Sequence, residues 1–203
     1  MNFLAHSYLS ANNPEVLLGN FFADAVKGNH IDNFPPLVIR GIRLHRMIDS
    51  FTDSHPVFLE SRHRIQENYG KFSGIIIDIF YDHFLAKDWE RYSNKPLKTY
   101  SAYVYQLLIN NFRMLPSRSK RILPFMVSQD WLSNYANFRG MERVFAGMDR
   151  RTGHISGMDH AVEDLKVHYE DIGNDFRQFF PEIIAFACHF LQEHDLSCEG
   201  VLL

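Results

Sequence analysis

The sequence predicts an all-α protein, a single-domain helical bundle, and three observations support this fold class. Prolines stand at Asn13-Pro14, Pro35-Pro36 and His55-Pro56, and proline fits the first turn of a helix, where its missing N–H is not needed. Apolar residues then recur at helical intervals in the segments that follow. No stretch rich in proline, glycine or serine divides the 203 residues. We therefore expect one domain over residues 1–203, with residues 195–203 as a loose tail.

The first expected helices follow these proline signals in chain order. One runs from Asn13-Pro14 to about Lys27-Gly28, the next opens at Pro35-Pro36, and a third opens at His55-Pro56. The expected boundaries are accurate to a few residues.

The segment from Gly74 to Tyr92 needs a separate argument. It contains Ile75, Ile76 and Ile77 in succession, a β-branched run that taken alone is typical of a strand. The apolar spacing continues through Trp89, which is too far for an average buried strand, so length favours a helix. Further helices are expected at 97–114, 117–127, 141–149 and 158–172, with a short turn around Trp131 and a last helix from Pro181 to about Glu193.

Composition and charge exclude several classes of protein. The chain is 46% hydrophobic and 22% charged, which is ordinary for a folded domain. Its net charge of −3 predicts no general attraction to nucleic acid or to an anionic membrane. The N-terminus has no signal-peptide pattern and no apolar run approaches ~18 residues, so we expect a cytoplasmic protein. We expect Cys188 and Cys198 to be reduced thiols.

Histidine and aspartate side chains spaced four apart indicate a metal site. His45 and Asp49 form one such pair, and Asp78 and Asp82 form another. Residues four apart share a helix face, so each pair aims two metal-binding groups at one point. Carboxylate and imidazole together suit Mn²⁺, Fe²⁺, Mg²⁺ or Zn²⁺. The alternative for His45 and Asp49 is an ordinary surface pair.

The carboxylate of Asp78 interrupts an isoleucine-rich apolar run, where an ionised group is costly to bury without a cation. Asp82 lies one turn later, and its repulsion from Asp78 requires a metal ion, an arginine or a shared proton. His83 flanks the pair either as a proton carrier or as a structural histidine. His6 and Asp24 lie upstream in apolar segments and complete the candidate set.

Other acidic and histidine residues have weaker claims. Asp53 continues the stripe of His45 and Asp49, but it equally suits a cap of the next helix. The remaining candidates are expected to be solvated rather than bound to metal: His154, His160, His168 and the dipeptide His194-Asp195.

The ordered set of motifs resembles the acyl carrier protein phosphodiesterases, also called acyl carrier protein hydrolases. The matching segments are residues 1–6, 19–24 and 34–36, Gly41-Ile42, His45-Arg46, Ile48-Asp49, Thr52-Asp53, Asp78, residues 82–85 and 129–132, and Gly147-Met148. The resemblance implies an all-helical fold related, in a distorted form, to the HD-domain metal phosphohydrolases. No adjacent His-Asp pair stands in the motif region, so this chain departs from the HD pattern there.

The activity that the resemblance implies is hydrolysis of the phosphodiester joining 4′-phosphopantetheine to a serine of holo-acyl carrier protein, a reaction of lipid metabolism that requires Mn²⁺ or Mg²⁺. We expect three to five metal ligands from one pool: His6, Asp24, His45, Asp49, Asp78 and Asp82. Asp24 and Asp82 are the leading candidates for the catalytic site, with His83 beside them. Arg46 is expected on a phosphate oxygen or a carboxylate, and the alternative for it is a solvated helix face.

Two further expectations concern the partner and the alternatives. Lys27, Arg40, Arg43 and Arg46 form a local basic group, which we expect to dock the strongly acidic carrier protein with an affinity that falls as salt rises. The alternative functions are a metal-dependent phosphohydrolase of a nucleotide or other small phosphoester, and a non-catalytic helical binding module.

Overall fold

The computed structural model describes residues 1–201, and it confirms the all-α class. This range forms eleven α-helices joined by short loops and 3₁₀ turns, and it contains no β-strand. The helices are α1 (Phe3–Tyr8), α2 (Pro14–Phe22), α3 (Pro36–Ser54), α4 (Pro56–Tyr69), α5 (Ser73–Lys87), α6 (Leu97–Asn110), α7 (Ser117–Ser128), α8 (Trp131–Asn134), α9 (Phe138–Arg151), α10 (Ala161–Val167) and α11 (Tyr169–Glu193).

Helix α5 is the central element of the bundle. Most of its residues are buried, among them the three aromatic side chains of Phe80, Tyr81 and Phe84. A helix that is apolar around its whole circumference must be covered on all sides, and α1, α4 and α11 all pack on it. The isoleucine run that resembles a strand therefore belongs to a core helix, as its length predicts.

A close crossing of α2 and α3 determines how the candidate site forms. A Cβ atom on Gly19 would lie 2.0 Å from the carbonyl oxygen of Val38, and one on Gly41 would lie 2.0 Å from that of Val16. Only glycine allows two helix backbones to approach this closely. The contact places the segment after Gly19 directly against the face of α3 that carries His45.

Several expected helices have different boundaries in the structure. The helix expected to reach Lys27-Gly28 ends at Phe22, and a 3₁₀ turn over Ala23–Ala25 follows. The helix expected over 74–92 ends at Lys87, with a 3₁₀ turn over Trp89–Arg91. The segment 158–172 is divided into a 3₁₀ turn, α10 and the start of α11. Short 3₁₀ turns replace the α-helix where the chain changes direction.

Pro181 does not open the last helix, because α11 runs unbroken from Tyr169 to Glu193 with this proline inside it. An interior proline removes one backbone hydrogen bond. Here Phe179, Phe180 and Ile183 are completely buried around it. Their burial outweighs the local cost, since tertiary packing supplies most of the stability of a helix.

The expectation of a loose C-terminal tail is wrong for residues 195–201. The Tyr8 hydroxyl donates to the carbonyl oxygen of Val201 at 2.8 Å, and the Asn13 amide donates to that of Ser197 at 2.9 Å. Because the tail folds back, Cys188 and Cys198 have Cα atoms 5.4 Å apart and form a disulfide rather than two thiols. Leu202 and Leu203 lie outside the described residues.

Within residues 1–201, no helix combines the length and the apolar character needed to cross a membrane.

Candidate metal centre

His6, His45 and Asp49 come together where α1 meets α3. Their potential ligand atoms all lie within 4.8 Å of one another. The Nε2 atom of His6 is 3.1 Å from Asp49 Oδ1, and the Nε2 atom of His45 is 3.1 Å from Asp49 Oδ2. Both imidazole rings are buried, whereas the Asp49 side chain is 39% exposed. The cluster is thus a buried pair of nitrogens next to a carboxylate that solvent can reach.

Asn20, which the sequence analysis did not single out, orients both histidines. The Nδ1 atom of His6 lies 2.8 Å from the Asn20 side-chain oxygen, and the Nδ1 atom of His45 lies 2.8 Å from the Asn20 backbone carbonyl oxygen. Both oxygens accept hydrogen bonds only, so each Nδ1 carries the proton. In the neutral form of each ring, the lone pair therefore lies on Nε2 and faces Asp49.

The Asn20 side chain is itself fixed on all sides. It is completely buried, and its amide group donates to the His6 carbonyl oxygen at 2.8 Å and to the Ser10 hydroxyl at 2.9 Å. A buried amide in the otherwise apolar run from Leu17 to Phe22 needs such partners. A single polar residue within an apolar run is the sequence feature that points to Asn20.

The protonation behaviour of the three groups reflects their mutual contacts. Burial, reinforced by the neighbouring His45 ring, lowers the pKa of His6 to about 4. Burial also opposes charge on His45, but its hydrogen bonds to Asp24 and Asp49 prevail and raise its pKa to about 9. Burial opposes charge on Asp49 as well, yet the two histidines hold its pKa well below the usual range. Asp49 is therefore a carboxylate at every physiological pH.

Asp24 is the fourth member of this site and enters it from the 3₁₀ turn after α2. Its Oδ1 atom lies 3.1 Å from His45 Nε2, and this contact is the main cause of a lowered Asp24 pKa. The side chain is 72% exposed. Asp24 is thus an ionised, solvent-accessible carboxylate at the edge of the buried cluster.

The donor set fits a divalent cation. The buried Nε2 atom of His6 has no hydrogen-bond partner among the described residues, although a buried polar atom without a partner is unusual. Two imidazole nitrogens with one or two carboxylates are a common ligand set for first-row divalent metals. A second hydrogen bond that fixes the tautomer of a ligating histidine, as Asn20 provides twice, is typical of such sites.

Asp78 lies at the border of this cluster but has a different partner. Its Oδ1 atom accepts a hydrogen bond at 2.7 Å from the α-amino group of Met1, which also lies 4.0 Å from Asp49 Oδ1. Burial raises the pKa of Asp78, and the Met1 ammonium opposes this shift. The cation that the sequence analysis requires for Asp78 is therefore present as an amine.

Asp82 is completely buried, and both of its oxygens bind the backbone of α1. Oδ2 accepts from the N–H of Leu4 at 2.8 Å, and Oδ1 accepts from the N–H of Ala5 at 3.1 Å. These are N–H groups of the first helical turn, which have no partner within their own helix. Burial raises the pKa of Asp82 to about 7, against the effect of these hydrogen bonds. The structure thus places Asp82 as an anchor for α1, outside the group of His6, His45 and Asp49.

His83 and Arg46 also lie outside that group. His83 is buried, donates from Nδ1 to the carbonyl oxygen of Tyr135 at 2.8 Å, and contacts the Tyr169 hydroxyl through Nε2 at 2.9 Å. Both of its nitrogens are therefore occupied away from the cluster. Arg46 is exposed and donates to the carbonyl oxygen of Val26 at 3.4 Å, close to the turn that carries Asp24.

The four residues expected to dock a partner differ in their exposure to solvent. Lys27, Arg43 and Arg46 are exposed. Arg40 is only partly exposed and donates to the carbonyl oxygen of His194 at 2.7 Å, so it holds the end of α11.

The remaining candidates lie away from the site. Asp53 and His160 are exposed, and His154 is an exposed ring that contacts the buried carboxylate of Asp149 at 2.6 Å. His194 contacts the carbonyl oxygen of Phe190. The described contacts place none of these side chains against His6, His45 or Asp49.

A groove of about 440 Å³ opens beside the cluster, and Asp24 forms part of its wall. Aromatic side chains of α2, α7 and α8 line the groove together with the exposed face of α9. Substrate sites combine an apolar wall with a few polar groups in this way. A ligand in the groove would thus reach His6, His45 and Asp49 through Asp24.

Comparison with known proteins identifies the class. The family model described as acyl carrier protein phosphodiesterase matches residues 1–183. The chain is 34% identical over 186 residues to a protein of that name from Photorhabdus laumondii, a match that covers 89% of this chain and 92% of the relative. It is 33% identical over 190 residues to proteins of the same name from Shigella boydii serotype 4 and Escherichia coli O139:H28, with 93% of this chain and 98% of each relative covered. The chain therefore belongs to the acyl carrier protein phosphodiesterase family. No solved structure matches it, so the likeness to HD-domain phosphohydrolases stays a prediction.

Proposed function

We propose that this protein is a metal-dependent phosphodiesterase that removes 4′-phosphopantetheine from holo-acyl carrier protein and leaves the apo carrier. The observation that carries the metal part of this proposal is the convergence of the His6 and His45 Nε2 atoms on Asp49. Family membership supports the substrate.

His6, His45 and Asp49 are the residues that would hold the cation, with Asp24 as the exposed fourth ligand. This set replaces the larger pool of six, because Asp78 pairs with the Met1 amine and Asp82 pairs with backbone N–H groups. A bound Mn²⁺ or Mg²⁺ supplies Lewis acidity toward water and toward a phosphoryl oxygen.

The remaining steps belong to the side chains. Asp24 is ionised and open to solvent, so it accepts the proton of the attacking water at one of its carboxylate oxygens. The resulting hydroxide attacks phosphorus, the bond from phosphorus to the serine oxygen of the carrier breaks, and that oxygen takes up the proton held by Asp24. Asn20 keeps both histidine rings in the tautomer that the site requires.

The test compares two aspartates of α3 that lie one turn apart. Wild-type protein incubated with holo-acyl carrier protein and Mn²⁺ should lower the carrier mass by that of 4′-phosphopantetheine, and Asp53→Asn should do the same. Asp49→Asn should lose this activity while its helical circular dichroism is retained. Turnover of nucleotides without any carrier cleavage would instead indicate a small-molecule phosphohydrolase, and equal activity of both variants would remove Asp49 from the site.

A further inference from the structure

Positive charge is concentrated in one segment of this chain, whose net charge is negative. Residues 111–151 contain eight arginine or lysine residues and three aspartate or glutamate residues, whereas the whole chain has a net charge of −3. This segment includes α7, α8 and α9. The docking group expected from the sequence consists of Lys27 and three arginines of α3, Arg40, Arg43 and Arg46, and this second basic segment is larger and lies elsewhere in the chain.

Four of these arginines line the groove that reaches Asp24. They are Arg118, Arg143, Arg150 and Arg151. All four are exposed, and none forms an ion pair within residues 1–201. Exposed guanidinium groups that are not engaged in ion pairs attract an acidic partner.

The interior of the groove is different in character. Ile122, Phe125 and Trp131 contribute accessible apolar surface, and Gln129 adds an exposed polar side chain, whereas Phe21 and Phe22 border the groove as almost fully buried rings. An elongated ligand with amide groups and short apolar segments suits such a wall. The 4′-phosphopantetheine arm has this chemistry, and its phosphate end must reach the cluster at Asp24.

We infer that the carrier protein docks on the arginine-lined face of α7 and α9, and that its 4′-phosphopantetheine arm lies in the groove leading to Asp24. This inference rests on the proposed function. It assigns docking to a face whose lining residues do not include the exposed Lys27, Arg43 and Arg46.

Gly147 offers a way to fill the groove without disturbing the fold. It lines the groove, and a Cβ atom there would meet only the Arg150 guanidinium, at 3.9 Å. Gly147→Trp should weaken binding of free 4′-phosphopantetheine to the Mn²⁺-loaded protein by about tenfold or more, since the indole occupies the site of the arm. Gly147→Ala is the matched control and should bind like the wild type. Inorganic phosphate, which needs only the metal centre, should bind all three proteins equally.

Charge reversal tests the docking face separately. Arg150→Glu with Arg151→Glu should raise the KM for holo-acyl carrier protein at low salt by roughly tenfold or more. Arg91→Glu with Lys95→Glu changes the net charge equally at exposed positions outside this basic segment that do not line the groove, and it should change KM less than about twofold.

The outcomes separate this inference from the proposed function. Unchanged 4′-phosphopantetheine binding by Gly147→Trp, or equal effects of the two charge reversals, would overturn the inference while carrier cleavage by the wild type still stands. A wild type that binds 4′-phosphopantetheine in the groove but cleaves no holo carrier would support the groove and contradict the catalytic function.

Discussion

The imidazole rings of His6 and His45 are stacked, with centroids 4.0 Å apart and planes inclined by 20°. Two buried histidines in this arrangement would repel each other if both were protonated. This repulsion is avoided because the pKa of His6 is lowered and that of His45 is raised, so that only His45 carries a proton on both nitrogens near neutral pH. Asn20 holds both rings from the same side, so both Nε2 atoms face Asp49.

Asn20→Ala should therefore weaken Mn²⁺ binding by about 10-fold to 100-fold, the usual effect of removing a group that orients a metal ligand. The His6 ring loses its fixed tautomer, while the side-chain atoms proposed to bind the ion remain. Isothermal titration calorimetry with Mn²⁺ measures the effect, and Asn110→Ala, at an exposed position of α6, is the control. Equal affinities for the two variants would show that Asn20 has only a structural role.

Asp49 and Asp82 should respond in opposite ways to the same substitution. Asp49→Asn should abolish the rise in Tm that Mn²⁺ produces, because an ion stabilises the fold only where it binds. Asp82→Asn should keep that rise but lower the free energy of unfolding by about 1–3 kcal/mol. Its amide NH₂ cannot accept a hydrogen bond, so the N–H of Leu4 or of Ala5 would lose its acceptor. Thermal unfolding with and without Mn²⁺ distinguishes them. Loss of the Mn²⁺ response in Asp82→Asn without loss of stability would return Asp82 to the ligand set.

Asp24→Ala should reduce carrier hydrolysis by about 100-fold or more, the range expected for loss of a group that transfers a proton. Because the side chain is exposed, its removal should leave the helical circular dichroism and the Tm nearly unchanged. Steady-state assays with holo-acyl carrier protein give the rate. A variant with wild-type turnover would exclude Asp24 from the active site.

The crossing of α2 and α3 should tolerate no side chain at its glycines. Gly19→Ala or Gly41→Ala should lower the free energy of unfolding by about 1–3 kcal/mol or more, because the added methyl group overlaps a backbone carbonyl. Gly147→Ala, in open space within α9, should instead raise it by about 0.5–1 kcal/mol through helix propensity. Urea unfolding measures all three, and a stable Gly19→Ala protein would contradict the close packing.

His83 should make the fold sensitive to acid. Burial lowers the pKa of His83 to about 4 from an ordinary value of 6.5. Between pH 4 and pH 6.5, His83 is therefore protonated in the unfolded chain but neutral in the folded one. The contribution of neutral His83 is complete above pH 6.5 and is lost as the pH falls toward 4, roughly 3 kcal/mol in all. In His83→Asn, which retains a donor for the Tyr135 carbonyl oxygen but cannot titrate, the free energy of unfolding should fall less over this interval. Parallel pH dependences for the two proteins would contradict this assignment.

The sequence predicts the local part of the site but not its long-range part. His45 and Asp49 lie four residues apart on one helix, so helical geometry alone brings them together. The pair Asp78 and Asp82 has the same spacing, yet it interacts with the Met1 amine and the backbone of α1. Spacing along a helix cannot reveal partners that come from a distant segment.

The fold follows the same division. Helix starts at Pro14, Pro36 and Pro56 are confirmed, because capping and proline geometry are local. The same rule fails at Pro181, where burial of the surrounding side chains carries α11 through the proline. Tertiary packing determines whether a helix continues through such a proline, and the local sequence does not reveal that packing.

The most direct test of the account is the intact mass of holo-acyl carrier protein after incubation with metal-stripped protein, before and after Mn²⁺ is added. We predict no change without the ion, and a mass loss equal to 4′-phosphopantetheine with it, for wild type but not for Asp49→Asn. Full cleavage by the metal-stripped wild type, or by Asp49→Asn with Mn²⁺, would contradict the assignment of His6, His45 and Asp49 as a catalytic metal centre.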